Sequence, residues 1–299
     1  MLGKLTKHTF KAHASSIANI YVAMGIIGVI MMVLMLVDWT KWGDTGIGLG
    51  LAIKCLAAGA LCIAALIGVI MTHVSVFSEF SRNMYAKEGH LTMTLPVRSS
   101  SLLLSKWISG SFWVILSYTT FCLCAGGSFV YIIKHSMNLV EGDEMYSTVF
   151  DLLKELLTQI FAAAGVVTPS TKVLFNLVCL YAFDGAVRAC VFVLVAFFAI
   201  TLSHARPFNK PGKVGSVLYF FGGSFVINTF ASLMTKLVKI YVVVSDEYFT
   251  FTLSEKQVHA AWANGFGAYS ITNLYCTVVL TVMLFLLVTY IIDRKVNVD

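Results

Sequence analysis

An all-α membrane protein that crosses the bilayer six times is the architecture predicted by the sequence, on three observations. Of its 299 residues, 58% are hydrophobic and only 12% charged, whereas a soluble domain carries about a quarter charged residues. Six apolar runs are long enough for a hydrocarbon core that takes roughly 20 helical residues to cross. They are residues 17–37, 51–77, 107–133, 173–203, 214–235 and 267–292. Finally, lysine and arginine concentrate in alternate connections, as they do in multi-pass chains of fixed orientation.

The first element, residues 1–16, sets Leu2, Leu5, Phe10 and Ala14 among lysines, histidines and serines. That pattern predicts a basic amphipathic helix on the membrane surface. The first apolar run is too long for a signal-peptide core, and VDWTKWGDTG after it offers no small-residue cleavage site. In the second run Ala60, Ala64, Gly68 and Thr72 recur every four residues, a stripe that lets helix backbones approach closely in lipid.

Between the second and third runs lies MYAKEGHLTMTLPVRSSSLLLSK, residues 84–106. Helical spacing continues through Phe77, Phe80, Met84 and Tyr85, with Glu79, Arg82, Asn83 and Lys87 predicted to face water. Gly89 suits the left-handed end of a helix. Pro96 lacks an amide proton and disfavours helix at Leu95, after which Ser99 or Ser100 can cap the next helix. Residues 78–106 are thus predicted to form a compact, stiff protrusion.

Two later connections are longer than simple turns. In 149–161, Val149, Leu152, Leu153, Leu156, Ile160 and Phe161 share one helical face, opposite Asp151, Lys154, Glu155 and Thr158. Residues 236–266 are too short for a hairpin crossing and are predicted as short re-entrant or surface helices before the last span.

Orientation follows from charge. Lys4, Lys7, Lys11, Arg82, Lys87, Arg98, Lys106, Arg206, Lys210, Lys213, Arg294 and Lys295 place twelve positive residues on one side. The other side holds Lys41, Lys134, Lys154, Lys172, Lys236, Lys239 and Lys256, with ten acidic residues. The positive-inside rule puts both termini and residues 78–106 in the cytoplasm, and 236–266 outside.

Within the fourth run Asp184 precedes Arg188 by one helical turn, the favourable order for an ion pair. A lone charge at mid-membrane costs about 3 kcal/mol on insertion scales. Two readings stay open: a place on a translocation route or subunit seam, or a self-neutralising structural pair.

Other chemistry is missing from the sequence. There is no GxxxxGK[ST], HExxH or GxSxG stretch; Gly212 and Lys213 lack the upstream glycine and the following hydroxyl residue. Gly222, Gly223 and Ser224 have neither a base nor an orienting acid beside them. Cys55, Cys62, Cys122, Cys124, Cys179, Cys190 and Cys276 lie in apolar runs without a CxxC pair. No catalytic, metal, cofactor or nucleic-acid site is predicted in this chain.

Tyr85, Lys87, Glu88, Gly89, His90, Leu91 and Thr92, then Thr94, Leu95, Pro96 and Val97, then Leu103, Leu104, Ser105 and Lys106 resemble a known signature. It is the Y..EG.LTLPV...LLLSK pattern of bacterial type-2 ATP-binding-cassette (ABC) export permeases, from which His90 departs where an aromatic is common. The resemblance implies one permease domain over 1–299 in the bacterial plasma membrane. Residues 78–106 would hold a coupling helix, with Tyr85, Lys87, Glu88, Gly89, His90, Leu91, Leu95 and Pro96 contacting a separate ATPase subunit. ATP and Mg would be bound by that partner, and a second permease subunit, identical or similar, would complete the path. The implied cargo is an amphipathic peptide, drug or lipid. Three other readings remain: an ion-coupled secondary transporter, a polytopic membrane enzyme, and a non-transporting membrane anchor or immunity protein.

Overall fold

A computed structural model describes residues 2–36, 44–85, 98–141, 170–205, 208, 212–245 and 248–295. Among them the helices are α1 (Leu2–Leu36), α2 (Asp44–Tyr85), α3 (Ser99–Glu141), α4 (Thr171–His204), α5 (Gly212–Leu237), α6 (Glu255–Ala263) and α7 (Ile271–Lys295). Three strands accompany them: β1 (Tyr241–Val244), β2 (Phe249–Thr252) and β3 (Gly267–Ser270). Five of the described helices, α2, α3, α4, α5 and α7, contain stretches long and apolar enough to cross a membrane. The count becomes six with α1, whose axis bends by 43° between Gly3–Ser15 and Ile17–Ile30.

Burial has the polarity of a protein solvated by lipid. Val29, Leu56, Leu123 and Phe225 are exposed, while Thr72, Ser109, Ser117 and Thr201 are buried. Lipid cannot satisfy a hydroxyl, so the helices do so themselves. Thr72 donates to the Gly68 carbonyl (2.8 Å), Ser117 to Val114 (2.8 Å) and Thr201 to Phe197 (2.7 Å). The chain is an all-α, multi-pass membrane protein.

The helices form two compact units. One comprises Met1–Thr9, Phe77–Ser111 and Thr158–Asp299. Its centre is α4, which packs on α5 and α7 through a nearly unbroken buried run that includes Val193, Leu194, Val195, Ala196 and Phe197. Ser170 starts α4, its side chain accepting from the Val173 amide at 3.3 Å, as a helix N-cap does.

Within residues 236–266, expected to be short helices, α6 is helical but β1 and β2 are not, and β3 follows immediately. The three strands form an antiparallel sheet in the order β2-β1-β3. Tyr241 pairs with Thr252 on one side and Ser270 on the other. YVVV and FTFT are β-branched and aromatic, which suits a pleated surface better than a helix. The hairpin closes where the Ser245 amide and hydroxyl both donate to the Tyr248 carbonyl, at 3.1 and 2.9 Å.

Val242 and Val244 pack with Val173 and Leu177 of α4, covered by Trp262 and Ile271. Gly267 is required there, because a Cβ would collide with Leu177. Gly265, at φ 75°, ends α6, with its amide bonded to Trp262 and the Phe266 amide to Ala261. This left-handed terminus satisfies the last carbonyls of the helix.

The second unit comprises Phe10–Val76 and Phe112–Leu157. The small-residue stripe of α2 has its tightest point at Gly68, where any Cβ would strike the Met24 side chain of α1. Phe10 stacks on Trp113 at 5.2 Å, and Tyr21 lies 6.2 Å from the same ring. The helix expected at 149–161 lies outside the described residues.

Candidate transmission end and intramembrane polar site

The last turns of α2 and the first turns of α3 flank residues 86–97, and both lie in the unit built on α4. On α2, Phe80 and Met84 are fully buried. The Phe80 ring stacks on Phe197 with centroids 3.8 Å apart. Tyr85 donates its hydroxyl to Thr201 Oγ1 at 2.8 Å and stacks on His204 at 4.4 Å. On α3, the Trp107 indole donates to the Cys190 carbonyl at 2.8 Å, and its ring meets Phe285 of α7 at 6.0 Å. The helix starts at Ser99, the Arg98 carbonyl accepting from the Ser101 and Leu102 amides. Both shoulders of the segment are therefore anchored on α4. Of the residues predicted to contact an ATPase, Tyr85 belongs to this anchor. Lys87, Glu88, Gly89, His90, Leu91, Leu95 and Pro96 lie outside the described residues.

Glu79 corrects the sequence reading. It was expected to face water, yet it is 5% exposed. Asn83 donates to its Oε1 at 3.5 Å. Lys106 of α3, a residue expected among the cytoplasmic charges, is 6% exposed, and Glu79 is the opposite charge acting on it. A buried charge is tolerated when another compensates it, and α3 supplies that compensation.

Asp184 and Arg188 lie near the midpoint of α4. Arg188 Nε donates to Asp184 Oδ2 at 2.7 Å. The two partners are unequally placed: the arginine side chain is 47% exposed and the aspartate 10%. Asp184 Oδ1 is buried, and the phenol of Tyr269 is the hydrogen-bonding group that faces the carboxylate. Tyr269 of β3 stands beside this carboxylate. Burial first, and then the Asp184 charge, push its phenol up to about 12. Its ring also packs edge-on against Tyr181 of α4 at 5.2 Å.

Beside the pair, α4, α5 and α7 enclose a partly open cleft of about 170 Å³. Arg188, Ser224, Asn228, Asn273 and Thr277 form its polar wall, and Val195 and Ile227 part of its apolar one. The sequence singles out Arg188 but not the four polar residues that share the cleft with it. The available signal was two asparagines interrupting the apolar runs 214–235 and 267–292. What periodicity cannot supply is that they meet Arg188 at one level. Among the described residues no group of histidine, cysteine, aspartate and glutamate could hold a metal ion.

No protein-family model, curated protein or solved structure matches the chain significantly.

Proposed function

We propose that this chain is the membrane-spanning permease subunit of an ABC exporter, coupled through residues 78–106 to a separate ATPase. The observation carrying this reading is the anchoring of both shoulders of that segment on α4, the helix that also bears Asp184 and Arg188. A push on the segment is delivered through Phe80, Tyr85 and Trp107 to a packed helix, and packed interfaces shift between discrete arrangements instead of deforming smoothly. ATP binding and hydrolysis on the partner would then select between access states of the permease. The likeness of residues 85–106 to the coupling signature supports the same assignment. So does the charge asymmetry, from which the positive-inside rule would put the segment and both termini in the cytoplasm. A second permease subunit would complete the path.

Two substitutions test the coupling. Gly89→Val opposes a left-handed backbone through its branched Cβ, and Glu88→Lys reverses a charge at the proposed contact. Neither changes an apolar run, so both variants should insert as the wild type does. Purified with the proteins encoded beside it, the wild-type chain should carry an ATPase. The variants should lose that ATPase, or keep it and lose cargo stimulation of ATP hydrolysis. A wild-type chain that never co-purifies with an ATPase, or variants with full coupling, would end the exporter reading.

A further inference from the structure

The cleft between α4, α5 and α7 has the chemistry of a ligand site. At about 170 Å³ it far exceeds the roughly 10–15 Å³ needed to hold one water. Arg188 is the only charged residue lining it among the described residues. Asp184 engages the arginine only at Nε, which leaves the terminal Nη groups of a five-donor fork available. Asn228 uses one amide hydrogen on the Ser224 carbonyl at 2.9 Å, which fixes its side chain and leaves the second hydrogen. Asn273 faces the cleft from α7 and Ser224 from α5.

This wall offers donors and one positive charge, so it suits an acceptor-rich, negatively charged group. Val195 and Ile227 continue it as an apolar surface. We infer that the cleft binds the acidic head of an amphiphile, a phosphate or carboxylate held by Arg188, Asn228 and Asn273, with its apolar tail along α4 and α5. Planar guanidinium matches either head group through paired hydrogen bonds. Asp184 positions Arg188 by holding Nε and does not itself touch the ligand. Naming this amphiphile as exporter cargo rests on the function proposed above; the binding does not.

The test uses the purified full-length chain in uncharged nanodiscs without an ATPase, so that failure of the site and failure of the exporter reading are separate results. The probes are dodecyl phosphate, dodecanoate, dodecyltrimethylammonium and inorganic phosphate. Dodecyl phosphate and dodecanoate should bind, and the quaternary ammonium should not. Arg188→Gln should weaken the acidic probes by about tenfold or more, the scale of one lost charge-assisted hydrogen bond.

Asn228→Leu, on an exposed face of α5, provides a second variant that leaves the ion pair intact, and it should weaken them several-fold. Displacement of dodecyl phosphate by added phosphatidylglycerol would identify the ligand as a bilayer lipid, and its persistence would identify a solute; either supports the site. The inference is overturned if the cationic probe binds as well as the acidic ones, if inorganic phosphate binds equally well without a tail, or if Asn228→Leu leaves affinity unchanged.

Discussion

The charges at the α2–α3 end and those in the middle of α4 obey different rules. Glu79 and Lys106 come from two helices and are both almost completely buried. Asp184 and Arg188 come from one helix, and only the aspartate is buried. In the first arrangement, helix packing excludes solvent from both charges, and the glutamate acts on the lysine through its charge. In the second, one helical turn brings them together and leaves the guanidinium facing a cleft. A sealed pair is closed to a third group, whereas a half-open pair retains capacity for one.

The largest effect should come from breaking the sealed pair. Lys106→Met or Glu79→Met leaves a buried charge without the opposite charge that acts on it; the roughly 3–5 kcal/mol lost on breaking a direct buried pair is the upper end of the expected loss. Because the partners are equally buried, the two single variants should be about equally damaging. The double methionine variant should recover much of the loss, since apolar replacement of a buried pair is often neutral. Unfolding of the four proteins in one detergent measures the cycle. Additive losses would show that the two charges do not compensate each other.

The α4 pair should respond less and unequally. Arg188→Ala leaves Asp184 buried without its charged donor, a penalty of about 1–3 kcal/mol. Asp184→Ala leaves an arginine that still faces the polar side chains of Ser224, Asn228 and Asn273 in the cleft, so its cost should be smaller. Equal losses for the two single variants would erase the distinction between sealed and half-open pairs.

The same contrast explains what the sequence disclosed. Asp184 and Arg188 are four residues apart, and helical geometry alone makes them neighbours. Glu79 and Lys106 are separated by residues 86–97, and no periodicity connects them. Val76, Glu79, Phe80 and Met84 nevertheless follow the three-and-four spacing of one buried stripe, which already directed Glu79 inward. Its charge argues the other way, because the compensating lysine arrives only with tertiary packing. The small sheet was hidden similarly. Its third strand, Gly267–Ser270, falls at the start of the last apolar run and was absorbed into that span. Long apolar helices were legible because lipid demands them wherever they pack. Pairing between distant segments was not.

A third pair gives the exposed limit and the smallest expected effect. Lys239 Nζ lies 2.6 Å from Glu255 Oε1, outside the spans, with both side chains open to solvent. The hydrogen bond, reinforced by opposite charge, raises the lysine above its ordinary pKa and lowers the glutamate below its own. Glu255 therefore contributes stability above the unfolded carboxylate pKa of about 4.3, lost as pH falls through its lower folded value. Lys239 contributes below the unfolded pKa of about 10.4, lost as pH rises through its higher folded value. Between those limits both are charged, and Lys239→Met should lower Tm slightly on that plateau at low ionic strength. The difference should close at either pH extreme. It should also vanish at about 1 M salt, where the screening length falls to roughly 3 Å, because exposed pairs depend on unscreened charge. The sealed pair should ignore the same salt. If the Lys239→Met difference survives both acid and salt, Lys239 acts through the packing of its alkyl stem, and exposure is not what separates the three pairs.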